Sequence, residues 1–109
     1  MLSENYINKI KESIKNKFSD MGIDDDSIQE LADVSIESLE EELKNVQAIL
    51  ETDDLTELGF HTHTIKGVLL NIGLNDDAER FKEIKHLFEN GKSNEEIKEI
   101  TKERISIFF

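Results

Sequence analysis

Leu55, Leu58, Thr62, Ile65, Leu69 and Ile72 recur at spacings of 3, 4, 3, 4 and 3. That alternation gathers apolar side chains on one face of an α-helix and makes the face a seam against other helices, with Thr62 its one polar member. A strand, whose side chains switch faces at every residue, has no use for such spacing.

The rest of the chain keeps the same period. Ile7, Ile10, Ile14, Phe18 and Met21 predict a first helix, with Ser3 as its N-cap and Gly22 just beyond its end. Ile28, Leu31, Ala32, Leu39, Leu43, Val46 and Leu50 predict a long second helix, opened by a capping box of Asp26 and Gln29. Glu37, Glu40, Glu41, Glu42 and Lys44 fall largely outside that stripe. Asp54 and Glu57 repeat the capping pattern and start a third helix that runs from about Leu55 to Ile72. A fourth begins at Asn75-Asp76-Asp77, carries Ala78, Phe81, Ile84, Leu87 and Phe88, and stops at Gly91. Ser93 and Glu96 cap a fifth with Ile97, Ile100, Ile107 and Phe108. Proline is absent and every connection is short, so the expected fold is all-α: one domain, residues 1–109, of antiparallel up-down helices.

Several function classes are disfavoured at once. A net charge of −12 opposes nucleic-acid binding, which needs a basic patch against phosphates. No apolar run suits a membrane span, and no signal peptide is visible, which makes the cytoplasm the expected compartment. Without cysteine there is neither a disulfide nor a thiolate zinc site. Asp24-Asp25-Asp26 lacks the length and terminal Glu of a calcium loop, and the Glu pairs of the second helix read as a solvated face. His61 and His63 cannot share a helical face and make a poor metal pair. His61 and His86 are read as ordinary surface or satisfied histidines.

The outer face of the third helix is different. His63 shares it with Gly59, Phe60, Lys66, Gly67 and Leu70. Gly67 lies in the helix interior, where glycine costs about 1 kcal/mol relative to alanine. From Leu58 to Asn75, eighteen residues contain no acid, against about four expected from 25 in 109. Each oddity has a use if His63 accepts a phosphoryl group. Neutral imidazole is a nucleophile at cytosolic pH, and Lys66 would stabilise the incoming charge that carboxylates would oppose. Gly67 leaves room beside the ring, and exposed Phe60 and Leu70 would let a partner dock.

His63-Thr64-Ile65-Lys66-Gly67 followed by Val68-Leu69-Leu70-Asn71-Ile72-Gly73 resembles the signature of histidine-containing phosphotransfer (HPt) domains: His, any residue, Leu or Ile, Lys, Gly, five residues, Gly. The resemblance implies a four-helix bundle with an additional N-terminal helix and the histidine midway along one bundle helix. It implies that His63 is the phosphoacceptor, that Lys66 assists electrostatically, that Gly67 gives access and that Gly73 turns the chain at the helix end. The partners it implies are receiver domains of response regulators and a sensor histidine kinase, with Mg²⁺ held by the receiver and no cofactor on this chain. The function expected is a monomeric cytoplasmic phosphocarrier in a two-component phosphorelay, without autonomous catalytic activity. Two alternatives remain: the phosphoacceptor domain of a chemotaxis-type or hybrid kinase, and a helical adaptor that is never phosphorylated. The sequence departs from the family at Thr62, where Ala is common, and at Val68-Leu69-Leu70, where small residues are common; Leu70 bears on partner choice.

Overall fold

The computed structural model describes residues 1–109, the side chain of Lys85 excepted. Among the described residues every regular element is helical: α1 (Glu4–Phe18), α2 (Asp25–Leu50), α3 (Leu58–Asn71), α4 (Asn75–Glu79), α5 (Lys82–Glu89) and α6 (Asn94–Ile105). Tight 3-10 turns follow α1 at Ser19–Met21 and α6 at Ser106–Phe108. The 26 residues of α2 set the long axis of a body measuring 47 × 23 × 19 Å. Helix α2 packs on α1 and α3, α3 packs on α4 and α5, and α5 packs on α6.

The 3-4 spacing of the third helix works as a seam. Leu55, Leu58, Ile65, Leu69 and Ile72 are all buried, and they meet Leu39, Leu43 and Val46 of α2 and Ile10 and Ile14 of α1 in one core. Thr62 is buried too, and its hydroxyl donates to the Leu58 carbonyl at 2.9 Å. The polar member of the seam is therefore satisfied one turn back on its own helix.

Caps decide where the helices begin, and two differ from expectation. Ser3 and Ser93 cap as expected, accepting from Tyr6 N at 3.1 Å and Glu96 N at 3.2 Å. Helix α2 starts earlier than the Asp26–Gln29 box: Asp24 is the N-cap, accepting from Ser27 N at 2.7 Å, and Gln29 donates to Asp33 instead. The Ser27 amide, followed by its side chain, holds the Asp24 carboxyl below the usual carboxylate range. Nor do Asp54 and Glu57 form a capping box. Asp54 accepts from the hydroxyl and backbone amide of Thr56, which lowers its pKa, and this local Asx turn delays α3 to Leu58.

The fourth predicted helix is two. It breaks between α4 and α5, where Arg80 N and Phe81 N donate to Asp77 O and Ala78 O in short i→i−3 bonds. Phe81 is 2% exposed and its ring stacks on buried Phe108 with centroids 5.7 Å apart. Seating that ring is worth a broken helix, since burying an aromatic side chain contributes about 1.5–3 kcal/mol. The fifth helix stops at Ile105, so Ile107 and Phe108 belong to the 3-10 turn that follows. Met21 is 68% exposed and lies outside the α1 stripe; Tyr6 takes a buried place there.

Helix α1 also binds the C-terminal end of α3. Lys17 Nζ donates to Leu70 O at 3.2 Å and Asn71 O at 2.9 Å, while Ser13 Oγ donates to Ile72 O at 2.7 Å. These are the carbonyls that a helix end leaves without intrahelical partners, and a lysine there also complements the negative end of the helix. Further along, the Tyr6 hydroxyl and Lys9 Nζ each donate at 2.8 Å to Asp77 Oδ2 on α4. Both ends of the turn between α3 and α4 are thus tied to one helix, and α3 is held firmly for whatever its outer face does.

Candidate functional site

The seam fixes the rotation of α3 and hence what its other side presents. With Thr62 and Ile65 buried, His63 is exposed and Lys66 half-buried on the outer face. The three histidines have different surroundings. His61 Nδ1 lies 2.6 Å from Glu42 Oε2, both side chains largely covered, so the pair joins α3 to α2. His86 Nδ1 lies 3.2 Å from Glu89 Oε2 on exposed surface. For the His63 ring no hydrogen-bond partner occurs among the described residues, and both nitrogens remain open to a reactant.

His63 sits in a groove of about 490 Å³ between α3 and α5. Phe60, His63 and Lys66 form one wall; Phe81, Lys82 and His86 form the other. Among the described residues neither Lys66 nor Lys82 is paired with a carboxylate. Two unpaired ammonium groups thus line one groove of a chain whose net charge is −12. An open imidazole in a groove that two ammonium groups also line is suited to taking a dianionic group onto nitrogen.

The predicted site residues fall into two sets. Phe60, His63 and Lys66 converge on the groove, with Phe60 64% exposed and its ring edge-on to His61 at 5.2 Å. Gly67 and Leu70 continue along α3 and stand outside the groove lining. A Cβ added to Gly67 would meet nothing within 4 Å, so the surface one turn past His63 is bare. Leu70 is 39% exposed. Gly73 lies beyond the helix at φ +85°, a backbone state that favours glycine, and a Cβ there would stand 3.1 Å from Ser13 Oγ. It ends α3 against α1 and takes no part in the groove.

Sequence reasoning missed Lys82 and His86 as groove residues. They are four apart and share one face of α5, a signal present in the chain, but what that face meets depends on the break at Phe81. It also placed Glu42 among the solvated acids, whereas Glu42 is half-buried against His61. Among the described residues no group of three or more His, Asp or Glu side chains is arranged to hold a metal ion. No helix of the described residues is long and apolar enough to cross a membrane.

A family model described as the Hpt domain matches residues 30–105. Comparison with curated proteins and with solved structures gives no match. The matched span runs from within α2 to the end of α6 and includes the whole groove; α1 precedes it.

Proposed function

Because the chain belongs to the Hpt domain family, we propose that it is a phosphocarrier in a two-component phosphorelay and that His63 is the residue that carries the phosphoryl group. One observation supports this above the rest: an exposed imidazole shares a groove with two lysines, and among the described residues the imidazole has no hydrogen bond and the lysines no acidic partner. Of the helices within the matched span, α2, α3, α5 and α6 are read as the antiparallel up-down four-helix bundle, with short α4 in the connection from α3 to α5 and α1 as the additional N-terminal helix. The packing of α2 on α3, α3 on α5 and α5 on α6 supports that reading.

In the step proposed, one ring nitrogen of neutral His63 attacks the phosphorus of an aspartyl phosphate on a receiver domain. A P–N bond forms as the P–O bond to the aspartate breaks, and the aspartate departs as a carboxylate. The phosphorylated ring is left as an imidazolium, so no proton need leave during transfer. Reversal returns the phosphoryl group to the same or another receiver. Lys66 neutralises part of the dianion, and bare Gly67 leaves space for the receiver's loops. Phe60 and Leu70 supply apolar area for docking. The chain contributes a nucleophile and a surface, while any Mg²⁺ and the bond-making machinery belong to the receiver. A cytoplasmic site of action and a monomeric carrier are part of the same reading.

The test is phosphotransfer from phosphorylated receiver domains to the chain. Label should appear on the wild type and vanish in His63→Gln. Label that persists in that variant would remove the assignment of His63. A chain that binds a receiver equally well with and without His63, and never becomes labelled, would instead be an adaptor.

A further inference from the structure

We propose that Lys82, on the far wall of the groove, is a second phosphoryl-binding residue that closes on the group carried by His63 from the side opposite Lys66. The proposal rests on the reading of His63 as the phosphoacceptor. Its starting point is the groove itself: Lys82 lines the same cavity as His63 and Lys66, yet comes from a different helix.

Three features place a usable charge there. Phe81, next to Lys82, is locked by its stack on Phe108, so the start of α5 is fixed against the core. The acid next to it in sequence is held from another helix: Glu83 accepts from Arg104 on α6 at 2.9 Å. Lys82 itself has no carboxylate partner among the described residues.

Position explains why Lys66 alone leaves work to do. Lys66 stands one turn along α3 from His63 and flanks the imidazole from its own helix. Because His63 and Lys82 line the same groove from different helices, a phosphoryl group that enters the groove from a ring nitrogen has α5 on its far side, where Lys66 does not stand. Charges farther away than about 10 Å are largely screened at 0.1 M salt, so the incoming dianion responds to the groove's lysines more than to the net charge of −12.

Chemical phosphorylation by potassium phosphoramidate tests this without a protein partner. The ring nitrogen forms a P–N bond as the donor's own P–N bond breaks and ammonia departs. Labelling of His63 is followed site by site by mass spectrometry of peptides. At low salt Lys82→Gln is expected to label His63 about three- to fivefold more slowly than the wild type, the loss of one close charge contact at a partly exposed site. Lys82→Arg should restore most of the rate, and the gap should close at salt on the order of 0.5 M. Lys11→Gln, an exposed lysine outside the groove, controls for loss of charge in general, and melting curves confirm that each variant is folded. Equal rates for wild type and Lys82→Gln at low salt, or equal losses in Lys82→Gln and Lys11→Gln, would overturn the role of Lys82. Because phosphoramidate needs no receiver, that result is separate from failure of the phosphocarrier reading, which shows as absence of transfer from phosphorylated receivers.

Discussion

Ser13 Oγ stands 3.1 Å from the point that a Cβ on Gly73 would occupy. The serine has no room to retreat, because it donates at 2.7 Å to Ile72 O, the carbonyl just before the glycine. Lys17 Cδ, at 3.3 Å, is likewise tethered by its ammonium to Leu70 O and Asn71 O. The second glycine of the motif is thus required twice, by a φ of +85° and by the closeness of α1.

Gly73→Ala is accordingly expected to destabilise the chain by about 2–4 kcal/mol, combining roughly 1–2 kcal/mol of left-handed backbone strain with the steric displacement of Ser13. Ser13→Ala alone should cost about 1 kcal/mol for the lost hydrogen bond. Denaturant unfolding of the two single variants and the double variant reads the coupling. The double variant should lose clearly less than the sum, since removing the hydroxyl makes room for the new methyl. Additive losses would mean that α1 does not press on Gly73 in solution.

Tyr6 offers a test by pH. It is the single tyrosine in a chain without tryptophan, so phenolate absorbance in the near ultraviolet reports on it alone. Burial, then its bond to Asp77, then the charge of Asp77 push the phenol well above its ordinary value. The unfolded chain releases this proton near pH 10, whereas the folded chain retains it. The contribution of Tyr6 to stability is therefore fully present below about pH 10 and lost as pH rises beyond it. Phenolate should appear only together with the loss of helical circular dichroism. Ionisation near pH 10 in a chain that remains helical would show that Tyr6 is neither buried nor held by Asp77 in solution. Tyr6→Phe keeps the ring against Phe108, costs about 1 kcal/mol at neutral pH, and removes this part of the alkaline loss.

What the sequence discloses and what it hides divide along physical lines. The α3 seam is visible because Leu58, Thr62, Ile65 and Leu69 are local in spacing and all face one core. The outward placement of His63 follows from that seam. The start of α2 is less visible: Asp24 and Asp26 both lie where an N-cap is plausible, and the bond from Ser27 N settles the competition. The break before α5 carries no proline or glycine. It exists because Phe81 must reach Phe108, a partner at the far end of the chain. Lys82 and His86 enter the groove only through that break, and Glu42 meets His61 only through the packing of α2 on α3. Local periodicity thus reveals one wall of the site, while the opposite wall depends on tertiary contacts that no short window of sequence contains.

Gly67 separates stability from function. A methyl added there meets nothing within 4 Å, and its φ lies outside the left-handed region that penalises side chains. Gly67→Ala should therefore stabilise the folded chain by about 1 kcal/mol through helix propensity, a rise in Tm of roughly 4–8 °C. Under the phosphocarrier reading, the same methyl stands at i+4 from His63, where the receiver's active-site loops approach. Transfer from a phosphorylated receiver should slow by about tenfold, the scale on which a small misplacement of reacting groups is felt. Labelling by phosphoramidate, a far smaller donor, should change little. A variant that melts higher, labels normally with the small donor and transfers slowly with the protein donor would identify Gly67 as space kept open at a cost in stability. Undiminished transfer would show instead that the glycine serves no purpose at the interface, and the bare surface beside His63 would then be unrelated to how the phosphoryl group arrives.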